Sequence, residues 1–396
     1  MSFSEWKEIK LGELLNFRRG HDLPKTKMLD GNIPVVGSNG IIGFHNEVTT
    51  KAPCLTIGRS GNIGNPCYIN KDCWAHNTSL YVDDFKGNDP KYLYYLLKTL
   101  NLGHYGGGSA VPTLNRNHIH PIEIKATINL AEQKAIAHIL STLDDKIEVN
   151  NQINKTLENM AQAIFKQWFV DFEFPNEDGE PYKSSGGEMV ESELGMIPKG
   201  WEVKGLDEIA EFLNGLAMQK YRPTENEKSY PVLKIKELRQ GRTDENSDLC
   251  SSNIEKKYIV RDGDIIFSWS GSLLVDIWCG GKCGLNQHLF KVTSDKHDQW
   301  FVYQWNKYHL DRFVNIAKSK ATTMGHIKRK DLSDSKVLIP SDELYLKAAQ
   351  YQKYLFEKIM YSKIEIKRLE EIRDSLLPKL MSGEIRVPLN EEGDAS

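Results

Sequence analysis

The chain repeats its own pattern about half-way along its 396 residues, and this repeat limits what it can fold into. Four pairs of similar segments follow one another in the same order in both halves. The offset between partners grows from 195 to 213 residues over the first three pairs and is 212 at the last. The pairs are Trp6–Leu15 with Trp201–Ala210, Ser60-Gly61 with Ser270-Gly271, Leu114–Ile119 with Ile327–Leu332, and Leu157–Met160 with Leu369–Ile372. We therefore predict two similar halves of about 200 residues each.

Each half begins with a block of mixed character and ends in a long segment that is typical of a helix. The blocks carry short β-type runs between Gly, Asn and Pro turns, and one helix each near residues 90–102 and 299–317. By contrast, Leu130–Phe169 contains no Pro or Gly that would interrupt a helix. The predicted segments are blocks at 1–129 and 201–341, long helices at 130–172 and 342–385, a linker at 173–200 and a tail at 386–396.

The two long helices are predicted to pair with each other. Apolar side chains recur in alternating steps of four and three residues, which is the spacing of a coiled-coil seam. Asn150 and Asn154 occupy two seam positions, where buried polar side chains fix register. The predicted pairing residues are Leu143, Ile147, Asn150, Asn154, Leu157, Ile164, Leu355, Ile359, Ile366, Leu369 and Leu376. The alternative is that each helix packs only on the block of its own half.

The charge of the chain is divided unevenly between blocks and helices. The net charge is −3, yet residues 1–130 and 201–341 each carry +3, whereas residues 131–200 carry −7. DNA phosphates attract Lys and Arg, and Arg and Asn also pair with base edges. We therefore predict that the blocks bind DNA through side chains in their basic and Asn-rich stretches. The candidates are Arg18, Arg19, Arg59, Asn62, Arg116, Asn117, Lys234, Lys236, Arg239, Lys318, Lys320, His326, Lys328 and Arg329.

The sequence carries no convincing signature of a catalytic or cofactor site. A phosphate-binding Gly-rich loop ending in Lys-Ser/Thr is missing from it. The segment Asn65-Pro-Cys-Tyr68 is similar to the loop in which amino-methyltransferases hold a flipped base, but no cofactor-binding pattern precedes it, and we interpret it as a turn. Cys279, Cys283 and His288 could hold zinc, although a fourth ligand is not evident. We predict no catalytic residue and no metal site, and leave the two cysteines open.

Cysteine content and hydropathy bear on the compartment of the protein. Six Cys in so long a chain do not form a disulfide scaffold, which favours reduced thiols. The apolar runs are shorter than a membrane span, and residues 1–5 do not resemble a secretory signal. We therefore expect a cytoplasmic protein without a membrane partner.

Three segments resemble one known protein family. Leu130–Ile147 resembles the central conserved helix of the specificity subunits of type I restriction–modification systems. Ser375–Ile385 resembles the end of their distal conserved helix, and Leu194–Trp201 resembles the start of their second target-recognition domain. The resemblance covers nearly the whole chain in the right order, and it is more specific in the helices than in the blocks.

This resemblance implies an α+β fold with two pseudo-repeated α/β target-recognition domains, separated by two long antiparallel coiled-coil helices. Each domain would read one half of a split, asymmetric sequence in double-stranded DNA, and the helices would set the unread spacer. The subunit would be non-catalytic. It would bind two modification subunits, which methylate adenine N6, and two restriction subunits, which form an ATP-dependent nuclease. S-adenosylmethionine, ATP and Mg²⁺ are then expected in those partners and no cofactor in this chain. The alternative is a coiled-coil scaffold whose blocks bind proteins rather than DNA.

Overall fold

The computed structural model describes residues 6–107, 112–319 and 325–388. The chain divides into two compact units. Unit 1 comprises Met1–Lys146 and Leu369–Ser396, and unit 2 comprises Ile147–Arg368. Each unit therefore contains a mixed block and a stretch of both long helices. The DNA-binding candidate Lys320 and residues 389–396 of the predicted tail lie outside the described residues.

Unit 1 contains a four-stranded antiparallel sheet in the order β2-β8-β5-β6, a three-stranded sheet β4-β3-β7 and the pair β1-β9. Its elements are β1 (Trp6–Lys10), α1 (Leu11–Leu14), β2 (Asn16–Arg19), β3 (Ile33–Gly37), β4 (Gly40–His45), β5 (Cys54–Gly58), β6 (Pro66–Ile69), β7 (Trp74–Ala75), β8 (Ser79–Asp84), α2 (Pro90–Thr99), α3 (Arg116–Ile119), β9 (Glu123–Thr127) and the start of α4 (Leu130–Phe165).

The core of unit 1 forms where α2 packs beside β6 and the start of α4. Helix α2 begins where Asp89 accepts a hydrogen bond from the backbone N–H of Tyr92, 2.8 Å away, with Pro90 at the first turn. Leu93 and Leu96 of α2 are buried in one apolar cluster with Leu140 of α4. The α4 segment of unit 1 is therefore part of the core of the first block.

Unit 2 contains a four-stranded antiparallel sheet in the order β13-β20-β17-β18, a mixed sheet β15-β14-β19-β16, and the pairs β10-β11 and β12-β21. Its elements are the rest of α4, β10 (Met189–Ser192), β11 (Gly195–Pro198), β12 (Glu202–Gly205), α5 (Leu206–Ile209), β13 (Glu211–Asn214), β14 (Ser229–Leu233), α6 (Ile235–Gln240), β15 (Leu249–Ser251), β16 (Ile259–Val260), β17 (Ile265–Ser268), β18 (Leu274–Ile277), β19 (Cys283–Leu285), β20 (Leu289–Thr293), α7 (Gln299–Ser319), α8 (Arg329–Ser333), β21 (Lys336–Ile339) and α9 (Asp342–Ser382) as far as Arg368.

The two blocks have similar successions of elements, with α6 and β16 as additions in the second, and this confirms the predicted pseudo-repeat and the α+β fold class. The sheet β2-β8-β5-β6 of unit 1 corresponds strand by strand to β13-β20-β17-β18 of unit 2. The pairs β1-β9 and β12-β21 correspond as well, and in each block they join the first strand to the last. The sequence offset rises mainly between β14 and β15 of the second block, where α6 is inserted.

The segment 173–200, whose composition we interpreted as a linker, is folded into unit 2. Phe174 is buried and stacks on Trp201, with ring centroids 5.7 Å apart. Strands β10 and β11 form an antiparallel hairpin, and Ile197 of this hairpin is buried. The Gly, Asn and Ser residues form turns between these buried apolar residues. The segment is therefore folded and is not an unstructured linker.

Within unit 2, the two long helices run antiparallel and contact each other. Asn150 Nδ2 of α4 donates to Glu365 Oε2 of α9 at 2.9 Å, and Gln352 Nε2 of α9 donates to the carbonyl of Ala161 at 2.8 Å. A higher residue number in one helix thus faces a lower number in the other. Of the predicted pairing residues in this unit, those buried are Ile147, Asn150, Asn154, Leu355 and Ile359, and those partly buried are Leu157, Ile164 and Ile366.

Within unit 1, the other ends of the same helices contact each other through charged and apolar groups. Arg373 Nη1 of α9 lies 2.8 Å from Asp144 Oδ1 of α4. Leu376 of α9 packs against the cluster that holds Leu140. The predicted pairing residues Leu143, Leu369 and Leu376 are all partly buried here.

Candidate nucleic-acid interface

Five of the DNA-binding candidates line one surface concavity of unit 1 with a volume of about 920 Å³. We call it the arginine concavity. Strand β2 supplies two of its arginines, the loop after β5 supplies a third, and the start of α3 supplies the fourth. The candidates in it are Arg18, Arg19, Arg59, Arg116 and Asn117.

Carboxylates and carbonyl groups hold these arginines in place. Arg18 Nε lies 2.9 Å from Asp83, and Arg19 Nη2 lies 2.9 Å from Asp22. Arg116 Nη1 donates to the carbonyl of Phe17 at 3.2 Å. The side chains of Arg18 and Arg19 are 58% and 54% exposed, so they still offer N–H groups to a ligand. A planar guanidinium with free donors suits phosphate oxygens and guanine edges.

Backbone hydrogen bonds fix the loop that carries Arg59. Its N–H donates to the carbonyl of Thr78 at 2.8 Å, and its own carbonyl accepts from Leu114 at 2.8 Å. Gly61 follows with φ of +85°, a conformation that an L side chain rarely adopts. The side chain of Arg59 is therefore presented from a defined backbone into the arginine concavity.

Asn62 lies outside the arginine concavity. It lines a separate hollow of about 470 Å³ in unit 1, together with Lys98, Asn101 and His104. The lining of this hollow is mixed, because apolar residues such as Ile63 and Leu102 also contribute to it.

The candidates around α6 in unit 2 form ion pairs with nearby carboxylates. Lys234 pairs with Asp248, and Lys236 Nζ lies 3.1 Å from Asp244. The hydrogen bond from Lys236 lowers the pKa of Asp244, and the bond from Lys234 lowers the pKa of Asp248. Arg239 is exposed at the end of the same helix. This part of the second block is therefore less cationic than its lysine count suggests.

The remaining described candidates lie near α7 and α8. Lys318 is exposed in the last turn of α7, and Lys328 is exposed directly before α8. Arg329 Nη2 donates to the carbonyl of Phe212 at 3.5 Å, which parallels the bond from Arg116 in unit 1. His326 is exposed and bridges to Ser270 through the backbone.

Two residues near His326 were not predicted from the sequence: Trp269, which contacts it, and Asn214, which contacts Trp269. Trp269 packs against His326, with ring centroids 6.1 Å apart, and its Nε1 donates to Asn214 Oδ1 at 3.0 Å. The internal repeat indicates that Trp269 is equivalent to Arg59, because Trp269-Ser270-Gly271 matches Arg59-Ser60-Gly61. Basic character marks Arg59 as a candidate but does not mark the tryptophan at the equivalent position.

The residues considered as zinc ligands are buried or contact a neighbouring side chain. Cys279 and Cys283 are buried, and burial raises the pKa of each thiol to about 12. His288 Nδ1 lies 3.0 Å from Ser270 Oγ. In the described parts of the chain, no three His, Cys, Asp or Glu side chains are grouped as metal ligands.

The interpretation of Asn65-Pro-Cys-Tyr68 as a turn was wrong. Pro66 begins strand β6 at the edge of its sheet, a position that tolerates proline.

Within the described ranges, no helix is both long and apolar enough to cross a membrane.

Comparisons with known proteins agree on one family. The family model described as type I restriction modification DNA specificity domain matches residues 3–159 and 198–372. The MjaIX specificity subunit of Methanocaldococcus jannaschii is 34% identical over 75% of this chain and 69% of its own length. The HindI specificity subunit of Haemophilus influenzae is 24% identical over 96% of this chain and 100% of its own.

A solved structure shares the fold. The crystal structure of a type I restriction–modification S subunit from M. genitalium superimposes with a TM-score of 0.61, at 19% identity. The match covers 96% of this chain and 96% of that one. The similarity therefore extends over both blocks and both long helices.

Proposed function

The chain belongs to the family of type I restriction–modification specificity subunits, and on that premise we propose that each of its blocks reads one half of a two-part DNA sequence. The observation that carries this proposal is the arginine concavity, where Arg18, Arg19, Arg59 and Arg116 converge from three separate elements. Four guanidinium groups on one face complement the negative charge of a duplex and the acceptor groups of its phosphates and guanine edges.

The proposed role of this chain is recognition without catalysis. Two modification subunits would supply S-adenosylmethionine and methylate adenine N6, and two restriction subunits would supply ATP hydrolysis and cleavage with Mg²⁺. Adenine N6 is reached only when the base leaves the stack, so the partner would flip the base while this chain holds the flanking duplex.

The long helices are proposed to set the distance between the half-sites. Helix α4 has 36 residues and α9 has 41, which at a rise of 1.5 Å per residue gives lengths of about 54 and 61 Å. The polar contact between Asn150 and Glu365 fixes their register in unit 2. A fixed register gives a fixed spacer length.

The modification subunits are proposed to dock on the apolar side chains that these helices expose in unit 2. Val149, Ile153 and Met160 lie at helical spacing on α4 and are 43–49% exposed. Tyr354 and Tyr361, one heptad apart on α9, are 58% and 61% exposed. Stripes of large apolar residues in water are typical of protein–protein interfaces.

We expect the double variant Ile153→Asp, Met160→Asp to weaken binding of the modification subunit at least tenfold, because burying either charge in an apolar interface is costly. Titration of the labelled subunit against purified chain would measure this. The matched control is Gln162→Asp, an exposed position on another face of α4 that should keep normal affinity. Equal affinity of the double variant and the control would contradict docking on this stripe.

DNA affinity of the complex with its modification subunits should fall steeply with salt, because binding of phosphates by Lys and Arg releases counterions. In the variant Arg18→Gln, Arg116→Gln, the slope of log Kd against log salt should decrease by about one for each phosphate that is no longer neutralised. Lys155→Gln, an exposed charge change on α4, is the control and should leave the slope unchanged. Weak DNA binding that does not depend on salt would instead favour the alternative function, in which the chain is a coiled-coil scaffold that binds proteins.

A further inference from the structure

The loop that carries Arg59 in unit 1 has a counterpart with the same backbone hydrogen bonds in unit 2. Arg59 N–H donates to Thr78 and its carbonyl accepts from Leu114, both at 2.8 Å. Trp269 N–H donates to the carbonyl of His288 at 3.4 Å, and its carbonyl accepts from Ile327 at 3.0 Å. Both residues precede a Ser-Gly pair whose glycine has positive φ. Arg59 and Trp269 therefore occupy equivalent positions in the two blocks.

The neighbours of these two residues are equivalent as well. Arg19 is opposite Leu80 in the pair β2-β8, and Asn214 is opposite Phe290 in the pair β13-β20. Each is the last residue of its strand, followed by Gly20 or Gly215. The amides of both glycines donate at 3.0 Å, to the carbonyls of Ser79 and Leu289 respectively. Asn214 thus replaces Arg19.

A third neighbour follows the same pattern. Ser60 bridges to Thr113 in unit 1, and Ser270 bridges to His326 in unit 2. Arg59, Arg19 and Thr113 line one concavity, while Trp269 contacts both Asn214 and His326. One backbone framework therefore presents arginines in unit 1 and an indole, an amide and an imidazole in unit 2.

The surroundings of Trp269 hold its ring in a defined orientation. The ring stacks on Phe290, with centroids 5.7 Å apart and an angle of 29° between the planes, and remains partly exposed. Its Nε1 bonds to Asn214 Oδ1, and that oxygen has a second lone pair while Nδ2 keeps its two donors. The amide is therefore oriented by the indole and can still form two bonds to a ligand.

We propose that Arg59 and Trp269 are equivalent specificity-determining residues, and that Arg59 reads a G·C pair in one half-site while Trp269 with Asn214 reads an A·T pair in the other. A guanidinium pairs with guanine N7 and O6, an amide pairs with adenine N6 and N7, and an apolar ring contacts the thymine methyl group. This inference rests on the proposed function, because it assumes that each block reads one half-site.

The assignment of Arg59 and Trp269 can be tested by methylome sequencing. Each host would carry the complete modification complex with one single variant of this chain. Arg59→Ala should relax one G·C position in one half-site by about ten- to a hundredfold and leave the other half-site unchanged. Trp269→Ala should relax one A·T position in the other half-site only. Asn214→Ser, at an exposed position, should relax the same A·T position and covers the case in which Trp269→Ala does not fold.

Two conservative variants separate base reading from phosphate binding. Arg59→Lys keeps the charge but loses bidentate hydrogen bonding to guanine, so it should still relax the G·C position. Trp269→Phe keeps an apolar ring for the thymine methyl group but loses the Nε1 bond that orients Asn214, so it should relax the A·T position less than Trp269→Ala. The assignment would be overturned if the variants methylated all sites more weakly without relaxing any position. It would also be overturned if Arg59→Ala and Trp269→Ala relaxed the same half-site. A wild-type motif that is contiguous would instead overturn the proposed function itself.

Discussion

Removal of one heptad from each long helix is expected to shorten the unread spacer by up to about three base pairs and to leave both half-sites unchanged. Seven residues correspond to about 10 Å of helix, and one base pair to about 3.4 Å of duplex. Residues 145–151 and 364–370 are suited to this deletion, because it removes Asn150 together with its partner Glu365. It also spares the ion pairs of Arg373 and Lys363.

The spacing of the methylated two-part motif measures this result. A control with only the first deletion keeps one full-length helix, so the seam falls out of register and we expect loss of the folded complex. Circular dichroism and thermal unfolding would separate misfolding from a changed spacer. An unchanged spacer in a folded double-deletion protein, or altered half-sites, would contradict the role of the helices as a ruler.

Arg386→Ala is expected to destabilise unit 1 by about 3 kcal/mol, because it leaves a buried carboxylate without its cation. Glu132 is 1% exposed, and its Oε1 lies 2.8 Å from Arg386 Nε. The same carboxylate accepts hydrogen bonds from Trp6 Nε1 at 3.3 Å and Thr127 Oγ1 at 2.8 Å. The segment after α9 is thereby tied to the first and last strands of the first block.

Hydrogen exchange in unit 1, followed along a urea titration, would measure the loss of stability. The double variant Glu132→Gln, Arg386→Gln should recover most of the stability, since no isolated charge remains. Lys51→Ala is the matched control for an exposed ion pair, with Lys51 82% exposed, and should change stability by less than about 0.5 kcal/mol. Equal effects of Arg386→Ala and Lys51→Ala would contradict a structural role for the buried pair.

Periodicity and repetition in the sequence predicted the architecture. The rhythm of apolar residues and the absence of Pro and Gly predicted long helices, and α4 and α9 begin at Leu130 and Asp342. The four repeated segments predicted two similar blocks. These features are visible in sequence because each depends on local spacing along the chain.

Features that depend on tertiary packing could not be predicted in the same way. Composition suggested a linker at 173–200, but Phe174 and Ile197 are buried in unit 2. Basic charge marks the arginines of unit 1 but not Trp269, whose equivalence to Arg59 depends on the strand pairing of the two blocks. Ion pairing of Lys234 with Asp248 likewise depends on residues fourteen positions apart.

The most direct test of the central claim is the methylome of a host that expresses this chain with its modification subunit. We predict N6-methyladenine at a two-part, asymmetric motif with a fixed unread spacer, which disappears when this chain is deleted. Methylation at a contiguous palindromic motif, or no methylation in the presence of an intact modification subunit, would contradict it.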